Sequence, residues 1–302
     1  MTGPRLSKAA FDRAAHRRTD ETWLADAWSC AKIVVISPKS ATPVIDGRDG
    51  VVHTVLRAAA SVPPEAPRRF LGLVGEDVYF TATVEPEDTK DWQTLREVGP
   101  RADDLDAGLL VSAVALEQWH QRHTHCPLCG ELTVESHAGW TRHCPADGSE
   151  HFPRTDPAVI MLIHDDGDLA LLGRGPQWRE GRFSTLAGFV EPGESVESAV
   201  AREVFEEVGI AITDIRYLGS QPWPFPASLM LGFMARLDGD PSITLDPVEV
   251  VDAGWFTRAD ISQARDWTDE ELPPDPERQL REIPPPLSIS RYLIDRWLAG
   301  ET

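Results

Sequence analysis

The clearest hydrophobic pattern lies in the C-terminal half of the chain. Residues 158–163, AVIMLI, are apolar at every position. They stop at the polar turn HDDGD and resume as LALLGRG, which predicts a β-hairpin. FSTLAGFV (183–190) predicts a further strand, and IRYLGSQPWPFP, SLMLGFMARL and VVDAGWF continue the pattern. Residues 195–209 then switch to helical spacing. Ser195 is a fitting N-cap and Gly209 a fitting C-cap. A last helix is predicted over SISRYLIDRWLAG, after the triple proline at 284–286. The preceding charged, proline-rich segment, 266–286, reads as a surface loop.

The N-terminal half is less regular. KIVVISP, RRFLGLV and DVYFTATV read as strands, and DLDAGLLVSAVALEQWHQRH has helical spacing. It carries no catalytic motif, and we assign residues 1–122 a structural or dimerising role. Residues 123–156 are short, rich in Gly, Pro, Cys and His, and lack helical period, as in a small ribbon. A globular domain follows over 157–302. At 302 residues the chain is long for one average domain.

The predicted helix raises the chemical question. Stepping by about 100° per residue from Val196, Ala199, Val200, Val204 and Val208 form one apolar stripe. Glu203 and Glu207 fall inside that stripe, Glu206 lies on its edge, and Phe205 faces the opposite side, which suggests a second packing surface. Two carboxylates four residues apart repel each other, and facing a core desolvates them. A divalent cation removes both penalties, and hard oxygens suit Mg²⁺ or Mn²⁺. The glycine loop before the helix, 188–193, sits at a helix N-terminus, where phosphates are favoured.

Charge and composition narrow the setting. The net charge of −20 disfavours general nucleic-acid binding, yet leaves room for a local site for a nucleotide or an RNA end. No run of apolar residues is long enough for a membrane helix, and the N-terminus lacks an apolar signal core, so the expected location is the cytoplasm.

Gly188, five residues, Glu194, seven residues, then Arg202-Glu203-Val204-Phe205-Glu206-Glu207-Val208-Gly209-Ile210 resembles the Nudix box at every fixed position. Gln221, Pro222, Trp223, Pro224, Phe225, Pro226, Ala227 and Ser228, together with Ser220, resemble the SQPWPFPxS signature of the NADH pyrophosphatase branch, which includes enzymes that remove NAD caps from RNA. The resemblance implies an α+β chain: a Nudix α/β/α sandwich with a mixed sheet, preceded by a cysteine ribbon and a mixed α/β domain. It implies Mg²⁺- or Mn²⁺-dependent hydrolysis of NAD(H) to AMP and nicotinamide mononucleotide, usually by a homodimer.

By the same resemblance, Glu203, Glu207 and Glu249 hold metal with the backbone carbonyl of Ala187, and Glu206 or Glu207 serves as the base. Arg202 and Glu194 form a structural pair. Phe152 stacks on adenine, Arg96 lies near the substrate, and Ser290 lines the pocket beside the 221–228 loop. Prolines in that loop fix the backbone, so Trp223 and Phe225 can offer rigid stacking faces. The alternatives are another nucleoside diphosphate derivative as substrate, such as ADP-ribose or a dinucleoside polyphosphate, or a non-catalytic nucleotide-binding module.

Cys126-x2-Cys129, fourteen residues, then Cys144 has structural zinc spacing. The family's fourth cysteine falls where this chain has Asp147, with His143, His151 and His125 as other candidate ligands. Zn²⁺ is therefore either bound by an altered set or lost.

Overall fold

A computed structural model describes residues 3–8, 10–47, 50–87, 91–268, 275 and 278–301. The proline-rich segment expected at 266–286 lies partly outside these. Contacts divide the chain into two units: Met1–Arg5 with Asp156–Gln221 and Leu229–Thr302, and Leu6–Thr155 with Pro222–Ser228.

The first unit is built on a six-stranded sheet. Its order is Ile212–Trp223, Ser228–Leu237, Asp156–His164, Leu169–Arg174, Asp252–Thr257, and Leu186–Phe189 pairs with Asp156–His164 off this path. The continuous apolar run explains the layering. Successive side chains of a strand point to opposite faces. Ile160 and Leu162 pack in one core with Leu293, Ile294 and Trp297 of the C-terminal helix Ile289–Leu298. Val159, Met161 and Ile163 pack in another with Ala199, Val200, Val204 and Val208 of the acidic helix Val196–Val208. Both faces are thus covered by helices, which is why the strand is apolar throughout. The expected strand 183–190 pairs as a ladder only over Leu186–Phe189, in register Val159↔Gly188 and Ile160↔Ala187. Upstream, Ser184 makes a single bridge to Gly173, and Phe183 is drawn instead to the Glu282 carbonyl.

The second unit contains a four-stranded sheet, ordered Arg57–Ala58, Lys32–Ile36, Asp77–Thr83, Arg68–Val74, and a three-stranded one, Val52–Thr54, Ala41–Asp46, Trp92–Thr94. The expected long helix runs Asp104–Arg122. The cysteine segment is a three-stranded ribbon: Val134–Ser136, Thr141–His143, Glu150–His151. A buried polar network joins it to the rest of this unit. Arg69 donates to Glu117 at 2.6 Å and to Glu135 at 2.9 and 3.2 Å. His120 lies 2.8 Å from the Gly139 carbonyl and 3.0 Å from an Arg142 nitrogen. Sequence pattern alone missed the helix Glu21–Trp28 and the one-turn helix Leu95–Val98 that carries Arg96.

Candidate active site

The acidic helix starts where the Ser195 hydroxyl accepts from the Ser198 amide at 3.1 Å. It ends at Gly209, whose φ of 71° is the left-handed conformation that favours glycine. Glu203 and Glu207 are each only 6% exposed, beside Val200 and Val204, as the angular pattern required. Glu206 is exposed on the edge of the stripe, and Phe205 is 64% exposed.

Arg202 organises the acids. It makes two hydrogen bonds to Glu194, at 2.7 and 3.1 Å, and one each to Glu203 at 3.0 Å, Glu206 at 2.9 Å and the Phe189 carbonyl at 2.9 Å. Glu194 in turn accepts the Glu191 amide at 2.8 Å, which closes the loop onto the helix. Those bonds, the arginine's first, hold the Glu194 carboxyl below its ordinary pKa. Gly188 admits the carboxylate of Glu203. A Cβ there would lie 1.8 Å from the Glu203 carboxyl carbon, so no other residue fits without displacing it.

Carboxylate oxygens of Glu203, Glu207 and Glu249 lie within 4.8 Å of one another. One Glu207 oxygen is buried with no hydrogen-bond partner. Burial, then the charges of Glu203 and Glu249, pushes the Glu207 carboxyl up to about 8. Burial likewise raises Glu203, against the pull of Arg202. An unpartnered buried oxygen amid three hard donors fits a divalent cation, which would favour the charged form of the Glu207 carboxylate. These residues line a cavity of about 570 Å³ together with Ala187, which is exposed on its strand, and Trp178.

The remaining expected residues fall as follows. Gln221 is fully buried, and its amide donates to the Leu287 carbonyl at 2.9 Å. Ser290 does not face the cavity. Its buried hydroxyl lies 2.8 Å from the Thr185 hydroxyl and 2.9 Å from that of Ser184, so it supports Thr185, which lines the cavity. The C-terminal helix points Ser290 inward from its N-terminal end, where it serves packing rather than exposure.

In the second unit, the Arg96 guanidinium lies 4.0 Å from the Phe225 ring centre and 4.9 Å from that of Trp223. The two rings meet edge to face at 5.0 Å. Pro222, Pro224, Pro226, Ala227 and Ser228 complete this turn, with Pro224 buried and Pro226 exposed. Phe152 is 64% exposed.

Sequence reading missed Trp178 and Thr185 as cavity residues. A tryptophan in the otherwise polar loop GPQWREGR was the available signal for the first; nothing marked the second.

In the ribbon, ligand atoms of Cys126, Cys129, Cys144 and Asp147 lie within 4.8 Å of one another. Sγ of Cys129 and Cys144 are 3.5 Å apart, and Cys126 Sγ is 3.2 Å from an Asp147 oxygen. Asp147, rather than His143, His151 or His125, takes the fourth place. His151 instead lies 3.0 Å from the Ser149 hydroxyl. Bonds from Ser149, side chain then backbone, hold the Asp147 carboxyl well below its ordinary range.

The Nudix domain family model matches residues 154–276, and the NADH pyrophosphatase zinc ribbon domain matches 121–152. A curated relative from Mycobacterium bovis, "NAD-capped RNA hydrolase NudC", is 40% identical over 99% of this chain and 96% of its own length. The chain belongs to the NudC family of Nudix hydrolases. Within that family, the same-named protein of Stutzerimonas stutzeri is 42% identical over 74% of this chain and 75% of its own length. Human "NAD-capped RNA hydrolase NUDT12" is 39% identical over 65% of this chain and 42% of its own. As a Nudix hydrolase, the chain is an enzyme of a divalent-metal-using family, and its ribbon is of the kind the zinc model describes. Among the described residues, no helix is long and apolar enough to cross a membrane.

Proposed function

We propose that this Nudix hydrolase cleaves the pyrophosphate of NAD(H), yielding AMP and nicotinamide mononucleotide, and removes NAD caps from RNA 5′ ends. The observation that carries the reading is the buried Glu207, which has one unpartnered oxygen and a carboxylate within 4.8 Å of those of Glu203 and Glu249, in a cavity bordered by glycine backbone. The names of relatives that align along nearly the whole chain support the substrate class.

Glu203, Glu207, Glu249 and the Ala187 carbonyl would hold Mg²⁺ or Mn²⁺. When bound, such ions neutralise charge on the phosphates and lower the pKa of a coordinated water. The chain's own residues do the rest. Arg202 fixes Glu203 and Glu206, and Gly188 leaves room for the Glu203 carboxylate. Glu206 or Glu207 takes the proton as the water oxygen adds to one phosphorus and the bridging P–O bond breaks. One phosphate leaves with each mononucleotide. Trp223, Phe225 and Arg96, with Phe152, offer faces on which a planar ring stacks. Gln221 and Ser290 support this chemistry from inside the fold.

In the ribbon, Cys126, Cys129, Cys144 and Asp147 would bind Zn²⁺ as a closed four-donor set. Assembly as a homodimer and a cytoplasmic location complete the reading. The cysteines, none of them in a disulfide, support the location.

Product analysis tests the function. NADH with Mg²⁺ or Mn²⁺ is expected to give AMP and reduced mononucleotide, and NAD-capped RNA a 5′-monophosphate. No divalent-dependent product from either refutes it, and faster turnover of ADP-ribose reassigns the substrate.

A further inference from the structure

We infer that Trp178 is a specificity-determining residue, stacking on a planar ring of the dinucleotide, and that Glu282 is the positioning residue that holds it in place. The inference rests on the proposed pyrophosphatase reaction at this cavity.

Trp178 follows the turn after strand Leu169–Arg174, where its amide donates to the Gly175 carbonyl at 3.1 Å. It is half-buried and lines the same cavity as Glu203, Glu207 and Glu249. The carboxylates and glycine backbone of that cavity suit metal and phosphate. An indole suits neither, and its flat face matches a base or a pyridine ring.

The loop is anchored with unusual thoroughness. Trp178 packs on Trp267, ring centres 4.8 Å apart and tilted 57°. Glu282, 1% exposed, accepts two bonds from Arg179 at 2.8 and 2.6 Å and one from Arg182 at 3.0 Å. Both arginines belong to the Trp178 loop, while Glu282 is about a hundred residues downstream. Burial works to raise the Glu282 carboxyl, but the arginines outweigh it and keep it ionised. Backbone bonds run alongside: the Glu282 amide to the Gly181 carbonyl at 2.9 Å, and the Phe183 amide to the Glu282 carbonyl at 3.0 Å. The Arg174 guanidinium reaches the Trp178 carbonyl at 3.3 Å. Buried ion pairs are poor sources of net stability, since desolvation offsets their attraction. Three charges converging behind one cavity-facing aromatic are better explained as fixing its orientation.

The test measures binding of AMP and of nicotinamide mononucleotide, separately and in Mg²⁺, by calorimetry on wild type, Trp178→Phe, Trp178→Ala and Glu282→Gln. Trp178→Ala is expected to weaken one mononucleotide by about tenfold and the other by less than about twofold. Which one weakens identifies the ring. Trp178→Phe restores most of the loss, and Glu282→Gln weakens the same ligand to a smaller extent. The KM for NADH rises in parallel in Trp178→Ala. Unchanged binding of both mononucleotides, or equal losses of both with a lowered melting temperature, overturns the inference. Wild-type protein that does not hydrolyse NADH overturns the proposed function and this inference with it. Wild-type turnover with a non-selective Trp178→Ala overturns this inference alone.

Discussion

Among the described residues three clusters have the spacing of metal sites, and two of them, the glutamates and the ribbon cysteines, are built on opposite plans; the third is His53, Asp103 and Asp106. The glutamates 203, 207 and 249 combine two buried carboxylates with one exposed, beside an open cavity. Their charges are poorly compensated by the chain itself: Arg202 touches Glu203, but one Glu207 oxygen has no partner. The ribbon's Cys126, Cys129, Cys144 and Asp147 form a compact set whose members already contact one another or Ser149. The first arrangement leaves charge for a hard ion and its substrate to satisfy, and leaves room for both. The second closes around a single soft or borderline ion. Spacing alone thus says that a metal fits. Unsatisfied charge and access separate a site for chemistry from a site for structure.

Removing the unsatisfied charge should produce the largest effect. Glu207→Gln keeps the shape and deletes a ligand and candidate base. Turnover of NADH should fall by about a thousandfold or more, because ion and proton acceptor are lost together. Melting temperature without divalent ions should stay level or rise, since a neutral amide replaces a carboxyl whose burial disfavours its charged form. Near-normal turnover would remove the distinction between the clusters.

Access comes next. Gly188→Ala places a methyl group where the Glu203 carboxylate now sits. A shift of about 1 Å in a catalytic group costs on the order of a hundredfold in rate. Steady-state kinetics with circular dichroism should show that loss in a folded protein. An unaltered rate would mean that the strand yields without disturbing Glu203.

How legible these features were depends on sequence distance. The acidic stripe was readable because glutamates three and four apart must share a helix face, and Glu203 and Glu207 did fall among the buried valines. The apolar run at 158–163 announced a strand, and the structure shows it covered on both sides. The Arg179–Arg182–Glu282 clamp was invisible, because ions a hundred residues apart meet only after the sheet has formed. The contact that ties Ser290 to the cavity through Thr185 was hidden for a related reason. The serine's position was inferable from a motif, but the turn of its helix, which aims the hydroxyl at Thr185, was not. The Arg69–Glu117–Glu135 network likewise joins three distant segments and left no local trace.

That network extends the comparison to acid. His120 is buried; its Nε2 donates to the Gly139 carbonyl and its Nδ1 accepts from Arg142, so the ring is neutral. Burial, then the charge of Arg69, lowers its pKa from 6.5 to about 4. The unfolded chain therefore takes up this proton first as pH falls. Stability is fully present above about 6.5 and is lost toward 4. Burial works against ionised Glu135, but Arg69, first through its hydrogen bonds and then its charge, and Arg142 outweigh it and lower its pKa, which adds in the same direction. Urea unfolding of the unit carrying the ribbon should lose about 2 kcal/mol from His120 between pH 7 and 4.5. His120→Gln, neutral throughout, should lose correspondingly less. Equal pH dependence in the two proteins would show that His120 titrates normally in the fold.

Asp147 gives the smallest and most discriminating change. Its Oδ1 accepts from the Ser149 amide at 2.8 Å and the Ser149 hydroxyl at 2.5 Å, and its Oδ2 faces the Cys126 sulfur. If the ribbon is a closed structural site, the carboxylate is its weakest donor, harder than the three thiolates it joins. Asp147→Cys should then tighten zinc by about tenfold and Asp147→Ala weaken it to a similar extent, read by competition with a chromophoric chelator. The glutamate cluster should respond to neither, so hydrolysis rates at saturating Mg²⁺ should stay within about twofold. Zinc affinity unchanged by Asp147→Ala would show that three thiolates hold the ion with water as the fourth partner. In that case the ribbon, too, would keep an open position, and the contrast with the glutamates would rest on donor softness alone.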